Sequence, residues 1–188
     1  MIKFVIHEEE LRKDPLVPDW IKADPSQIKP KRATDGSAGY DIIVPYDFRI
    51  EGGTTGKYVM ETYVSIEMDK KYYAAMHVRS SIGIKRFIRL LNSTGIIDSD
   101  YKDTIKVPLR IFSGVNDTFR AGDRIAQIVF GEYFLTDEDM EFKKSGIKGE
   151  ERNGGIGSTG ISDPITEPKV EEPEITEDKP EKKKYEKK

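Results

Sequence analysis

The chain has no cysteine and only two histidines, His7 and His77. Disulfides and thiolate metal centres are therefore excluded, and a zinc site would have to rest mainly on carboxylates. No apolar run approaches the roughly 18 residues that a membrane helix needs. The opening Met1-Ile-Lys-Phe-Val-Ile-His7 lacks the apolar core of a signal peptide. A soluble, cytoplasmic protein without a membrane partner is expected. A large excess of charge of one sign is also missing. Lys plus Arg number 31 and Asp plus Glu 34, a net charge of -3, which argues against a general nucleic-acid partner. At 188 residues the chain suits one domain rather than two.

Charge is instead concentrated at one end. Residues 161–188 carry nine acidic and seven basic side chains with few apolar ones, too little to offset the entropy of ordering, so a disordered charged tail is expected. Residues 2–6 form a short β-like run. The stretch 7–32, punctuated by Pro15, Pro18, Pro25 and Pro30, reads as a meandering loop insertion anchored by Trp20 and Ile21. The body, 33–160, is dominated by alternation. In 105–112 the apolar residues Ile105, Val107, Leu109 and Ile111 fall at every second position, as in a half-buried strand. Pro108 cannot donate to a ladder, so that strand is an edge or turns its 108 position outward. Segments 58–66, 72–79 and 125–134 are rich in Val, Ile, Tyr and Phe and read as strands. Helix signals are weak, with at most one short helix near 80–87. The expected fold class is all-β, a sandwich or barrel.

Five polar, glycine-bearing segments interrupt this pattern: Ala33–Ile42, Arg79–Gly83, Asn92–Tyr101, Gly122–Gln127 and Arg152–Gly160. Arg79-Ser80-Ser81 suits either a helix N-cap or an anion site, because a guanidinium, two hydroxyls and free N–H groups all favour phosphate. The run from Gly154 to Gly160, with Ser158 and Thr159, is either a hinge or a lid that offers N–H groups and hydroxyls to a phosphate chain. It is not a P-loop, since the closing Lys-Ser/Thr is missing. Asp98 follows Ile96-Ile97, so its carboxylate emerges at the end of an apolar run. It is either a turn residue or a general base holding a water.

Taken in order and at these spacings, the five segments resemble the signature motifs of the trimeric deoxyuridine triphosphatase (dUTPase) family. Asn92, Gly95, Asp98 and Tyr101 stand in the family's Asn-x-x-Gly-x-Ile-Asp-x-x-Tyr arrangement, and Asp123-Arg-Ile-Ala-Gln127 matches the fourth motif almost letter for letter. The resemblance implies a β-barrel or jelly-roll homotrimer. It further implies cleavage of dUTP to dUMP and pyrophosphate by in-line attack of water on the α-phosphorus, with Asp98 orienting and deprotonating that water. Mg2+ is expected on the phosphates, with Asp41 and Gln127 reaching it only through water and no direct protein ligand. Arg79, Ser80, Ser81 and Gly83 would hold the triphosphate. The hairpin from Asn92 to Lys106, including Gly95, Ile96 and Ile97, would pair with uracil through its backbone, and Tyr101 would lie against the deoxyribose. Arg152, Ile156, Gly157, Ser158 and Thr159 would form the lid. Each active site would collect motifs from three chains.

Three departures stand out. Arg152 is separated from Gly154 by one residue rather than two, and Ile156 replaces the family's uracil-stacking phenylalanine, a loss of roughly 1–3 kcal/mol of stacking by analogy with single-strand binders. Ile156→Phe is therefore expected to lower KM for dUTP. Asp103 and Ser81 stand where glycine is common, with little effect expected. Two other readings compete: a dCTP deaminase of the same fold, and a dUTPase-like regulator that engages a protein partner through its tail. The deaminase needs a glutamate on the strand after the Asp98 turn, and 105–110 offers no carboxylate.

Overall fold

The computed structural model describes residues 1–53 and 57–144. The predicted lid, 152–160, and the tail, 161–188, lie outside the described residues. The chain opens with β1 (Ile2–Ile6), α1 (Glu8–Lys13), α2 (Asp19–Ala23) and a 3-10 turn, Pro25–Ile28. There follow β2 (Lys31–Arg32), β3 (Tyr40–Ile43), β4 (Phe48–Ile50), β5 (Lys57–Glu61), β6 (Val64–Met68) and β7 (Tyr72–Val78). After α3 (Ser80–Lys85) come β8 (Ile88–Leu90), β9 (Gly95–Ile97), β10 (Lys106–Ile111), β11 (Asp117–Phe119), β12 (Arg124–Glu132) and α4 (Asp137–Lys144).

The strands pair into a five-stranded sheet ordered β2-β3-β12-β7-β9, a three-stranded sheet β5-β10-β8, and the pairs β1-β6 and β11-β4. All pairings are antiparallel. Their inner faces share one apolar core that includes Ile42, Met60, Ile66, Ile88, Val107, Leu109, Phe119, Ile125 and Ile128. The alternation in 105–111 is realised: Val107, Leu109 and Ile111 point inward and Lys106, Pro108 and Arg110 outward. The all-β class holds. No helix among the described residues is long and apolar enough to cross a membrane.

Several expectations are corrected. Four short helices are present among the described residues rather than at most one. The 7–32 stretch is not a meandering loop; its prolines sit at helix boundaries, where a missing N–H costs nothing. In α1, Glu8, Glu9 and Glu10 occupy the first turn and Arg12 and Lys13 the last, complementing the helix dipole. Glu8–Arg12 and Glu9–Lys13 ion pairs span i,i+4. Leu11, Val17, Ile21 and Ile28 from this stretch lie in the common core, whereas Trp20 is 49% exposed and is no anchor. The single strand expected over 58–66 breaks at Thr62-Tyr63, where Tyr63 has φ +57°. Of the two placements expected for Pro108 the outward-facing one holds, in the central strand of its sheet rather than at an edge. Its carbonyl accepts from the Leu91 N–H at 2.9 Å, one residue past the end of β8, so the proline deprives the ladder only of its terminal bond.

Candidate active site

Two strand ends and a bulge build the first half of the site. The Arg79 N–H donates to the Ile125 carbonyl at 3.1 Å, fixing the exit of β7 against β12. Ser80 and Ser81 then open α3, whose N-cap is Arg79 and has no side-chain cap, so neither serine is used as a helix cap. Asp41, on β3 and only 5% exposed, lies between two guanidiniums. Arg79 Nε stands 3.1 Å from Asp41 Oδ1, and an Arg124 terminal nitrogen donates to Asp41 Oδ2 at 3.1 Å. A register shift between Arg124 and Ala126 brings Arg124 to this place. One buried carboxylate thus fixes two cations while leaving part of each donor fork for another anion.

A cavity of about 460 Å³ opens there, lined by Arg79, Ser81, Lys85, Arg86, Gly122 and Arg124 among others. Arg86 is bound to Asp117, with Nε donating to Oδ2 at 2.5 Å and a second nitrogen to Oδ1, and it stacks over Phe119 at 3.9 Å. The Arg86 hydrogen bond holds the Asp117 carboxyl below its ordinary pKa. Gln127 stands directly opposite Asp41 on one side and His77 on the other. Gly39 makes room for it: a Cβ at position 39 would come within 2.5 Å of Gln127 Oε1.

The second half is the hairpin. In β9, Ile97 is buried, Ile96 is 58% exposed, and Gly95 packs so closely on β7 that a Cβ would meet Met76 Cε at 3.1 Å. Asp98 follows at the strand end, exposed, and its carbonyl accepts from the Tyr101 N–H at 3.1 Å to close the turn. Tyr101 is buried, and its hydroxyl donates to the Thr104 carbonyl at 3.1 Å. Lys106 Nζ lies 3.1 Å from Asp103 Oδ2 and 3.6 Å from Glu61 Oε2. Partial burial works against the Lys106 ammonium, but the Asp103 hydrogen bond and the Glu61 charge prevail and hold its pKa above the ordinary value. The same contact lowers that of Asp103. Lys106, expected to touch substrate, thus braces the turn as well. A cavity of about 520 Å³ is lined here by Asn92, Gly95, Ile96, Ile97, Tyr101 and Lys106, with Met76, Leu91 and others.

Of the expected residues, Arg79 and Ser81 line the first cavity, with Asp41 bridged to Arg79 and Gln127 opposite Asp41 on the neighbouring strand, while Asn92, Gly95, Ile96, Ile97, Tyr101 and Lys106 line the second; Ser80, Gly83 and Asp98 line neither. The two cavities share no lining residue. Arg152, Ile156, Gly157, Ser158 and Thr159 lie outside the described residues. Sequence reasoning missed Arg124, Lys85 and Arg86; Arg124 was visible inside the fourth motif, while the other two only appear once α3 folds over the cavity. Among the described residues no cluster of three or more His, Asp or Glu could hold a metal ion. Both Asp41 oxygens already face guanidiniums, so this carboxylate suits contact with a hydrated ion through water.

Comparison with known proteins gives a consistent picture. The model of the dUTPase family matches residues 26–160. A deoxyuridine 5'-triphosphate nucleotidohydrolase of avian adenovirus 8 is 36% identical over 140 residues, covering 74% of this chain and 82% of the relative. The enzyme of that name from Helicobacter pylori is 32% identical over 145 residues, covering 75% and 94%. Among solved structures, a dUTPase from Streptococcus mutans aligns with a TM-score of 0.56 at 29% identity over 60% of this chain and 91% of that one. A dUTPase from phage phi11 of S. aureus aligns with a TM-score of 0.55 over 73% and 93%; at 16% identity it speaks to the fold alone.

Proposed function

The chain belongs to the dUTPase family, and from that premise we propose that it is a dUTP diphosphatase converting dUTP to dUMP and pyrophosphate. The observation that carries the reading is the pairing of a doubly bridged Asp41, which aims Arg79 and Arg124 at one basic cavity, with a separate hairpin that presents Asp98 at the end of a half-buried strand. Phosphoryl transfer needs positioning and charge neutralisation more than covalent chemistry, and these are what the residues offer.

Asp98 takes a proton from the attacking water. The new oxygen–phosphorus bond forms at the α-phosphorus in line with the breaking bond to the bridging oxygen, which leaves with pyrophosphate. Arg79, Arg124 and the Ser80 and Ser81 hydroxyls bind the phosphate oxygens and carry the charge that develops on the leaving group. Asp41 and Gln127 would hold a Mg2+ ion through water, and the ion would supply positive charge to the phosphate chain. The backbone of Gly95–Ile97 pairs with uracil, and a cytosine there would leave buried donors and acceptors unmatched at about 1–3 kcal/mol each. Tyr101, fixed by its bond to Thr104, closes the floor beneath the sugar.

Because the two cavities are separate in one chain, the working site draws its phosphate half from one copy and its hairpin from another within a homotrimer. Mixing tests this. Arg79→Gln and Asp98→Asn chains, each inactive alone, should regain activity when unfolded and reassembled together, with about one quarter of sites intact for random mixing. No regain from assembled mixed oligomers would refute the shared site. Rapid pyrophosphate release from dUTP, and little from dCTP or dTTP, tests the substrate; ammonia release from dCTP would point to a deaminase instead.

A further inference from the structure

The N-terminal segment reaches the anion-binding half of the site. Residues 1–25 lie ahead of the stretch matched by the family model, and they include α2. In α2, Ile21 is wholly buried in the common core and fixes the helix on the body. Its neighbour Trp20, the chain's only tryptophan, is half exposed and makes a different contact. A Cβ built on Gly122 would stand 3.6 Å from Trp20 Cη2. The far edge of the indole therefore lies against the side of Gly122 from which a side chain would project.

Gly122 has φ +95° and sits in a turn closed by the Asp123 N–H, which donates to the Arg120 carbonyl at 3.0 Å. Glycine adopts that φ at little cost, and its missing side chain leaves room for the indole. The polar groups of the turn are tied to the segment after β3. The Gly122 N–H donates to the Val44 carbonyl at 2.8 Å, and the Ala121 N–H to Asp47 Oδ1 at 2.8 Å. Trp20 supplies an apolar contact. Directly after the turn the chain enters β12 at Arg124, and Gly122, Asp123 and Arg124 all line the basic cavity. Trp20 thus touches the turn that delivers Arg124 to Asp41.

We propose that Trp20 is a positioning residue of the anion-binding half: packed on Gly122, it holds the turn so that Arg124 reaches both Asp41 and a phosphate oxygen. Resting on the proposed reaction for the identity of the nucleotide alone, this role requires only that the cavity takes a phosphate-class oxyanion. A broad aromatic edge on bare backbone gives many weak contacts that resist displacement of the turn. Small misplacement of a binding group lowers affinity out of proportion to the stability lost.

The test is calorimetric titration of inorganic pyrophosphate into the full chain at constant ionic strength, for wild type, Trp20→Ala and Trp20→Tyr, with thermal unfolding of each. Trp20→Ala should weaken pyrophosphate binding about fivefold while Tm falls by only a few degrees. Trp20→Tyr, whose side chain is long enough to reach Gly122, should bring affinity back to within about twofold of wild type. KM for dUTP should follow the same order. Equal pyrophosphate affinity in the folded proteins, equal loss in both variants, or no binding by wild type would overturn the role of Trp20. A wild-type chain that binds pyrophosphate with this dependence on Trp20 and yet leaves dUTP intact would refute the proposed reaction and leave the role of Trp20 standing.

Discussion

Asp41→Asn perturbs the candidate site at its most buried polar point while keeping the side chain's shape. The wild-type carboxylate receives two charge-assisted contacts at 3.1 Å, from Arg79 and Arg124. Gross attraction for each pair is about 5 kcal/mol at an effective dielectric near 20. Burying the carboxylate offsets much of that. The arginine side chains are 27% and 46% exposed, so water can re-solvate them once the charge has gone. The net cost should therefore be about 2–3 kcal/mol, toward the lower end for breaking a buried pair. For a chain of this size that is a fall in Tm of about 4–12 °C. With both guanidiniums released from their common anchor, kcat/KM for dUTP should fall about 30-fold or more, an effect of about 2 kcal/mol on transition-state binding. Differential scanning fluorimetry and steady-state pyrophosphate release would measure the two quantities. A variant within about 1 °C and about threefold of wild type would refute the claim that Asp41 aims the two arginines.

Gly39→Ala should separate binding from stability. Its Cβ would strike the end of the Gln127 side chain, so KM for dUTP should rise while Tm moves by only a few degrees; an unchanged KM would mean that Gln127 does not touch the substrate or its metal-bound water. Ile21→Ala should cost about 2–4 kcal/mol in urea unfolding, because this side chain is wholly buried in the common core; a cost below about 0.5 kcal/mol would restore the loop reading of 7–32. Asp117→Asn tests a pH dependence whose sign follows from Arg86. Since the folded-state carboxyl is held below its ordinary pKa, the stabilisation is present at neutral pH and is lost as pH falls from about 4 through the lowered value. Wild type should exceed the variant by about 1–2 kcal/mol at pH 7, with the gap narrowing in acid; a constant gap would contradict the pairing.

Strand β10 was legible because one face is buried and the other is not, so Val107, Leu109 and Ile111 alternate with Lys106, Pro108 and Arg110. The residues proposed for both halves of the candidate site come from motif spacing alone, since Arg79 and Asp98 are picked out by local sequence. Helices α1 and α2 were not. Six and five residues are too few to display a helical period, and their inward residues Leu11 and Ile21 belong to a core whose other members come mostly from far along the chain. The bridge from Asp41 to Arg124 spans 83 positions and depends on a register shift in β12, information that no local pattern carries. Lys106 shows the same limit: the sequence places it at the end of the Asn92–Lys106 segment, but Glu61, which shares it with Asp103, comes from another strand.

The most direct test of the central claim is pyrophosphate release from dUTP in the presence of magnesium, measured side by side for the wild-type chain and Asp98→Asn. The account predicts rapid release by wild type and a loss of about 100-fold or more in kcat for the variant, with nucleotide binding retained, as expected when a general base is removed. Equal rates for the two proteins would contradict the role assigned to Asp98. No release from folded, assembled wild type would contradict the proposed activity itself.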